Sequence, residues 1–183
     1  MKILLSVLVF GLATPGFAAR LTKSCKVFLG PVNAALITRN GKQLSVYQGG
    51  NPMEMLLLTH HRRDVTTPTL GSLSTKLSII APSAEKDLFS KTGEYWEGHW
   101  KKRFHYYTQQ STKILVEPIA VDRWVNDGDE IAWQGLKIKV IATPGFTRGA
   151  VTYVTKVDGQ RLAFTGDLIY GDGKVFDLYS FQD

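Results

Sequence analysis

The feature that most constrains the fold is an apolar run that stops abruptly at a cluster of charged and imidazole side chains. Residues 55–58 are consecutive large apolar residues, which predicts a strand buried on both faces. His60, His61, Arg62 and Asp64 follow this run directly. In α/β sheets the chemistry lies where strands leave the core, because the strand aims the side chains and the loop frees their tips. The sequence therefore predicts a functional site at the end of this strand.

Two later stretches have the same form, an apolar strand followed by small or polar residues. Residues 136–142 run into Thr-Pro-Gly, and residues 162–165 run into Gly166 and Asp167. We expect the three strand ends to lie at one edge of the fold. Imidazole and carboxylate groups are the usual ligands of zinc and of non-haem iron. This edge is therefore a candidate metal site.

Turn signals divide much of the remaining chain into hairpins. Asn40-Gly41 and Asp158-Gly159 each separate two apolar-rich runs, the strongest short hairpin signal that a sequence offers. Residues 130–133 and 136–142 predict a third hairpin, whose second strand alternates apolar residues with lysines. Strands of this kind with helices outside them predict an α/β fold.

Two helices are predicted between the strand-rich halves. The first opens after Pro82, with Ser83 as its N-cap and Glu85 and Asp87 placed favourably in its first turns. The second covers residues 94–108 and presents one aromatic face. Basic residues between its aromatics raise the alternative of single-stranded nucleic acid. The regular period favours a solvated basic face instead, and we predict no nucleic-acid partner.

In chain order, these stretches resemble the motifs of the metallo-β-lactamase superfamily. The family pattern is a strand ending Thr-His-x-His-x-Asp-His, then Thr-Pro-Gly-His-Thr, then a strand ending Gly-Asp, and a last His. The corresponding residues here are 59–65, 143–147 and 164–168. The resemblance implies an αβ/βα sandwich of mixed β-sheets with outer helices. It also implies metal-dependent hydrolysis of a small ester, thioester, lactam or phosphoester, with the substrate itself left unknown.

The resemblance implies a two-metal ligand set, of which this chain keeps a part. One metal position keeps His60 and Asp167, and the other keeps Asp64 and the same Asp167. Asp64 is also the candidate catalytic carboxylate, and His61 is an additional candidate ligand. Neither position reaches the three protein ligands that a catalytic zinc usually has. Three ligand positions that the family fills with His carry other residues, namely Arg62, Val65 and Phe146.

Arg62 leaves two interpretations of the site open. A guanidinium has no lone pair for a metal but suits carboxylates. In the first interpretation Arg62 pairs with Asp64 and Asp167 and replaces the metal charge, which makes the chain a metal-free binding or vestigial protein. In the second, His60 or His61 forms a rearranged site with both Asp residues for one zinc, iron or manganese ion. That site would give a weak hydrolase.

A supporting group behind the metal loop is also expected to be lost. In the family, the second strand of the first hairpin usually ends in an Asp that supports the loop from behind. Tyr47 stands at this position, followed by Gln48 and Gly49. We therefore expect no carboxylate support there.

The first 18 residues predict a cleaved export signal. Lys2 precedes an apolar region at residues 3–13, and Gly16 and Ala18 fit the small residues of a cleavage site. The apolar region is shorter than the roughly 20 residues that span a bilayer, so we predict no stable membrane anchor. The expected domain is residues 19–183, in a periplasmic or secreted protein. Its one cysteine, Cys25, excludes an internal disulfide.

The C-terminus leads to an expectation about completeness. The chain continues for 16 residues after Asp167, whereas the family fold continues with further helices, strands and the last His ligand. We therefore expect a truncated domain whose second half is largely missing. A sheet without its covering layer would expose an apolar face, which a partner or self-association would cover.

Overall fold

A computed structural model describes residues 18–29, 33–47, 53–62, 77–94, 117–170 and 173–175 of the chain. Residues 1–17 of the predicted signal, Asp64 and Val65, and all but the first residue of the predicted helix 94–108 lie outside the described residues. Within them, the strands form one sheet of seven strands, one of four and one of two.

The seven-stranded sheet changes from antiparallel to parallel pairing in its middle. Its strands lie side by side in chain order: β1 (Ala18–Arg20), β2 (Cys25–Phe28), β3 (Ala34–Arg39), β4 (Lys42–Val46), β5 (Met55–Leu57), β6 (Ser78–Pro82) and β7 (Arg123–Val125). Strands β1 to β4 pair antiparallel, and β4 to β7 pair parallel. The carboxyl ends of β4 to β7 therefore meet at one edge. Strand β5 has parallel neighbours on both sides. Its successive residues Leu56 and Leu57 point to opposite faces of the sheet and are both 0% exposed, which confirms the prediction of a strand buried on both faces.

The second sheet is an antiparallel meander of four strands. They are β8 (Glu130–Trp133), β9 (Leu136–Ala142), β10 (Val151–Val157) and β11 (Gln160–Phe164), and a short pair follows, β12 (Ile169–Tyr170) with β13 (Lys174–Val175). The three predicted hairpins are confirmed. At two of their turns Asn40 and Asp158 have φ values of +51° and +49°, and a Gly follows each. Asn and Asp adopt this left-handed region more readily than other non-Gly residues.

The predicted helix after β6 begins differently from the prediction. A 3₁₀ turn at Ser83–Glu85 leads into α1 (Lys86–Ser90). The prediction that Ser83 is the N-cap is wrong, because Pro82 caps the turn without a side-chain hydrogen bond and Ser83 lies inside it. The Ser83 hydroxyl instead lies 2.5 Å from Asn126 Oδ1. Pro82 still belongs to β6, so the turn starts directly from extended backbone.

Both main sheets contribute to a single hydrophobic core. Leu44, Leu57 and Ile80 of the larger sheet and Ile138 and Tyr153 of the smaller one belong to the same buried cluster. Over the described residues, the two sheets thus pack against each other through this cluster. The covering of a remaining apolar face by a partner or by self-association stays a prediction. Ile141, at 36% exposure, is the one large hydrophobic residue exposed in this part of the chain.

The sandwich has two ends with different roles. We call the end with the three hairpin turns, together with Ser24 and Glu54, the turn end. The opposite end, where β4, β5, β6, β9 and β11 terminate, is the site end. None of the helices in the described ranges has the length and apolar character needed to cross a membrane.

Candidate functional site

His60 and Asp167 face each other at the site end. His60 follows β5, and Asp167 lies in a 3₁₀ turn (Gly166–Leu168) after β11. His60 Nε2 lies 3.2 Å from Asp167 Oδ2. The pair lacks the alignment of a hydrogen bond, and among the described residues neither atom has another hydrogen-bond partner although both are buried. The two strand ends that we expected at one edge of the fold thus lie next to each other.

The spacing of these two atoms suits two ligands of one metal ion. Zinc binds imidazole nitrogen and carboxylate oxygen at about 2.0–2.2 Å, so two ligand atoms at a tetrahedral angle lie about 3.3 Å apart. The observed separation is 3.2 Å. A buried polar atom without a partner calls for an explanation such as a missing ion. His60 and Asp167 therefore fit two positions of a metal site.

His61 points to a different partner, the buried carboxylate of Glu85. Its backbone N–H donates to Glu85 Oε2 at 2.7 Å, and its ring Nδ1 lies 2.8 Å from the same oxygen. The other carboxylate oxygen, Oε1, accepts a hydrogen bond from the Thr147 hydroxyl. All three residues are at most 1% exposed. Glu85 thus ties the histidine loop to the loop after β9.

The Glu85 carboxylate is held in its charged form. Burial by itself raises the pKa of Glu85, but the His61 hydrogen bond, the charges of His61 and His60 and the Thr147 hydrogen bond outweigh it. The net pKa therefore lies below the ordinary value of 4.5. Gly149 permits this approach, because a Cβ there would lie 2.4 Å from Glu85 Cγ.

Sequence reasoning missed the role of Glu85. We expected it to be a favourably placed acid in the first turns of a helix, and the structure buries it against His61. An acid after Pro-Ser-Ala is typical of a helix start. The partner that decides its position is 24 residues away, and no local pattern indicates it.

Arg62 is buried beside His60. It is 2% exposed, its backbone N–H donates to His60 Nδ1 at 3.3 Å, and its guanidinium carbon lies 5.8 Å from the centre of the Phe146 ring. The predicted pairing of Arg62 with Asp64 falls outside the described residues. Asp167 is the other predicted partner of Arg62. Within the described residues, Asp167 forms an ion pair with His60.

Phe146 fills space next to the histidine. It is 4% exposed, and its ring centre lies 4.9 Å from that of His60. The Phe at this ligand position therefore packs directly against the remaining histidine. An aromatic ring provides no metal ligand, so the number of ligands at the site end stays low.

Tyr47 replaces the support that we expected to be lost. Its side chain is 6% exposed, and its hydroxyl forms a hydrogen bond with the Thr59 hydroxyl, directly before His60. Its ring centre lies 6.3 Å from that of His60. The family position thus carries a phenol that contacts the loop. The sequence prediction considered only a carboxylate at this place.

The site end thus brings together four of the predicted positions, His60, Arg62, Phe146 and Asp167. His61 contacts Glu85 instead. The described residues contain no group of three or more His, Cys, Asp and Glu side chains arranged for a metal ion. Asp64, the remaining candidate, lies outside them.

Comparison with known families gives one match. The sequence profile of the metallo-β-lactamase superfamily matches residues 70–181. This range includes the Thr-Pro-Gly and Gly-Asp stretches and begins after the histidine cluster. The match therefore does not depend on His60, His61 or Arg62.

This chain is similar to curated proteins over a part of their length. The chain is 39% identical over 127 residues to a hydroxyacylglutathione hydrolase of Aeromonas hydrophila, covering 68% of this chain and 37% of the relative. It is 42% identical over 132 residues to the same-named protein of Brucella anthropi, covering 70% and 38%. The chain thus spans less than half the length of these relatives.

Solved structures share the fold. The FEZ-1 metallo-β-lactamase of Legionella gormanii has a TM-score of 0.66 at 14% identity, covering 93% of this chain and 71% of that protein. A Cronobacter sakazakii metallo-β-lactamase described by a HARLDQ motif has a TM-score of 0.66 at 15% identity, covering 92% and 68%. At these identities the likeness concerns the fold alone.

Proposed function

Because the chain belongs to the metallo-β-lactamase superfamily, we propose that it is a weak metal-dependent hydrolase that holds one divalent ion, zinc in the first place, at the site end. The observation that carries this proposal is the approach of His60 Nε2 to Asp167 Oδ2, two buried atoms 3.2 Å apart without hydrogen-bond partners in the described part of the chain. Iron and manganese suit the same nitrogen and oxygen donors.

The ligands in this proposal are His60 and Asp167, with Asp64 from outside the described residues as the third. The chemistry supplied by a bound ion is polarisation of a carbonyl and activation of a water molecule. Asp167 is 34% exposed and His60 is 1% exposed, so a substrate reaches the site from the Asp167 side. Phe146 packs against the His60 ring, and both it and Arg62 are buried.

Arg62 is the reason to propose weak activity. Its guanidinium stays protonated and gives no lone pair. A fixed positive charge beside His60 lowers the affinity of the site for a cation. The letters of the HARLDQ motif nevertheless place His, Arg and Asp at the spacing of His60, Arg62 and Asp64. A metal-dependent hydrolase therefore stays the first candidate despite this arginine.

The substrate that we propose is a small thioester of the hydroxyacylglutathione class. The names of the curated relatives support this choice. A β-lactam is the second candidate, since the similar solved structures are metallo-β-lactamases. The chemistry is the same for both, because water attacks an acyl carbon whose oxygen becomes negative.

A metal-free binding protein is the alternative function, and one hydrogen bond favours it. Arg62 N–H donates to His60 Nδ1, which puts the proton of a neutral His60 on Nε2. A ligand nitrogen must be unprotonated, so metal binding requires this hydrogen bond to be given up. In the alternative, Nε2–H stays opposite Asp167 and Arg62 supplies the positive charge.

Zinc titration followed by thioester hydrolysis separates the two functions. The protein is purified without metal resin, titrated with zinc in a calorimeter, and assayed on a hydroxyacylglutathione. We expect binding and slow turnover, both lost in His60→Ala and Asp167→Ala. Absence of zinc binding in the folded protein would favour the metal-free alternative.

We also propose export, on the residues of the predicted signal. Lys2, the apolar region 3–13 and the small residues Gly16 and Ala18 support it. N-terminal sequencing of the protein expressed in a bacterium should find a mature chain that begins near Ala19. An intact Met1 would exclude cleavage.

A further inference from the structure

Tyr47 has a backbone conformation that L-residues with large side chains rarely adopt. Its φ is +61°, in the left-handed region where a bulky residue is an outlier. Two hydrogen bonds hold it there: its N–H donates to Leu57 O at 3.1 Å, and its carbonyl accepts from Ser45 Oγ at 2.6 Å. Such outliers persist where the surroundings fix them, and they cluster at functional sites.

This conformation delivers the Tyr47 hydroxyl to the base of the histidine loop. The Tyr47 hydroxyl forms a hydrogen bond with the Thr59 hydroxyl. Thr59 is 0% exposed and directly precedes His60. The Thr59 carbonyl in turn accepts a hydrogen bond from Val151 N–H at 3.0 Å. Thr59 is therefore fixed by its side chain to one sheet and by its backbone to the other.

The same pair of hydroxyls forms the floor for the turn that carries Asp167. A Cβ on Gly166 would lie 2.6 Å from Thr59 Oγ1, 2.7 Å from the Tyr47 hydroxyl oxygen and 3.3 Å from His60 Cδ2. Gly166 itself has a φ of +61°. The backbone before Asp167 thus rests directly on Tyr47 and Thr59, without a side chain between them.

We propose that Tyr47 is a positioning residue, whose hydroxyl acts through Thr59 and Gly166 to set the separation of His60 Nε2 and Asp167 Oδ2. The proposal rests on the proposed function in so far as that separation serves a metal ion. Tyr47 touches neither of the two atoms. Its effect comes from fixing both loops that carry them against one hydroxyl pair.

The test is Tyr47→Phe, with Tyr153→Phe as the matched control. Tyr153 is 0% exposed, and its hydroxyl donates to Leu58 O at 2.9 Å, so each variant loses one buried phenol hydroxyl. We expect similar small losses of melting temperature for the two. The zinc dissociation constant should rise about tenfold or more in Tyr47→Phe, and stay near the wild-type value in Tyr153→Phe.

A second readout does not depend on metal. In the metal-free protein, the imidazole ¹⁵N shifts of His60 and the amide shifts of Gly166 and Asp167 should move in Tyr47→Phe and stay in place in Tyr153→Phe. Unchanged shifts would overturn the proposal. A wild-type chain that binds no zinc would instead overturn the proposed function, and the shifts would still decide the role of Tyr47. If Tyr47→Phe does not fold, Thr59→Val removes the same contact and replaces it in both measurements.

Discussion

The polar groups at the two ends of the sandwich differ in their hydrogen bonding. At the turn end, Glu54 accepts hydrogen bonds from Lys42, Trp133 and Gln134, and Asp158 accepts two from Ser24. Glu54 is half-buried and Asp158 is exposed, yet each accepts at least two hydrogen bonds. At the site end, buried His60 Nε2 and Asp167 Oδ2 have no hydrogen-bond partner in the described part of the chain.

From this difference we infer that the turn end serves stability, and it supports the proposal that the site end serves a ligand. Glu54 and Asp158 join the hairpin turns of one sheet to the other, which closes the sandwich. Leaving buried polar atoms unpaired costs free energy, and native proteins accept this cost mainly at functional places. Glu85 is the exception at the site end, because its oxygens are all occupied by the loops that it supports.

The largest expected effect comes from Glu85→Ala. The substitution leaves His61 and Thr147 without their buried acceptor, so the free energy of unfolding should fall by about 3–5 kcal/mol. Asp87→Ala, an exposed acid in α1, is the control and should change it by less than about 0.5 kcal/mol. Urea unfolding measures both. Equal effects would contradict the account of Glu85 as the tie between two loops.

The Glu85 charge also gives a pH dependence with a definite sign. Because its folded-state pKa lies below 4.5, its contribution is fully present above the unfolded-state pKa and is lost as pH falls through the folded-state pKa. The wild type should therefore lose stability below about pH 4.5 more steeply than Glu85→Gln. Parallel curves for the two would contradict this assignment.

Substitution of one glycine at each end compares the packing of the two ends directly. Gly166 at the site end and Gly159 at the turn end both have positive φ, but only Gly166 has atoms within 4 Å of a Cβ position. Gly159→Ala should cost about 1–2 kcal/mol from backbone strain. Gly166→Ala adds overpacking and should cost about 1–3 kcal/mol more. Thermal unfolding measures the loss of stability in both variants. Equal losses would contradict the close packing of Gly166 against Tyr47 and Thr59.

Much of the fold could be predicted from the sequence because its signals are local. Asn40-Gly41 and Asp158-Gly159 mark turns through their own backbone preferences, and the apolar run before His60 indicates a buried strand without reference to any other segment. Strand ends that carry Thr-Pro-Gly and Gly-Asp also indicated where the site would form. The strands of the second sheet were predicted as two hairpins for the same reason, since they follow one another in the chain and pair across short turns.

The support of the site could not be predicted, because it depends on long-range contacts. Glu85 resembles any acid at a helix start, and Tyr47 resembles any residue at a strand end. Their roles come from His61 and Thr59, which reach them only in the folded chain. Asp64 stays a prediction, as do zinc binding and export.

A substitution at Arg62 should sharpen the contrast between the ends. Arg62→His removes a fixed charge and adds a nitrogen ligand beside His60, so zinc affinity should rise at least about tenfold, or about 1.4 kcal/mol. Arg148→His is the control, since it makes the same exchange at an exposed arginine in the loop after β9. Calorimetric titration measures both. An unchanged affinity in Arg62→His would remove the argument that the arginine weakens the site.

The smallest effect is expected at the turn end. Glu54→Gln weakens its hydrogen bond to Lys42, the main cause of the lowered pKa of Glu54, but exposed pairs contribute little. The melting temperature should change less than in the Glu85, Gly159 and Gly166 variants, and the change should shrink at high salt. Zinc affinity should not change. A loss of zinc affinity in Glu54→Gln would mean that the two ends are coupled.

Metal content per chain is the most direct test of the central claim, that His60 and Asp167 hold a divalent ion. Protein purified without chelator or metal resin is analysed by mass spectrometry of the metals, beside His60→Ala. The account predicts about one equivalent of zinc or another divalent metal in the wild type and a much lower value in the variant. A wild-type value near zero that stays there after incubation with zinc would contradict it, and would mean that Arg62 has taken the place of the cation.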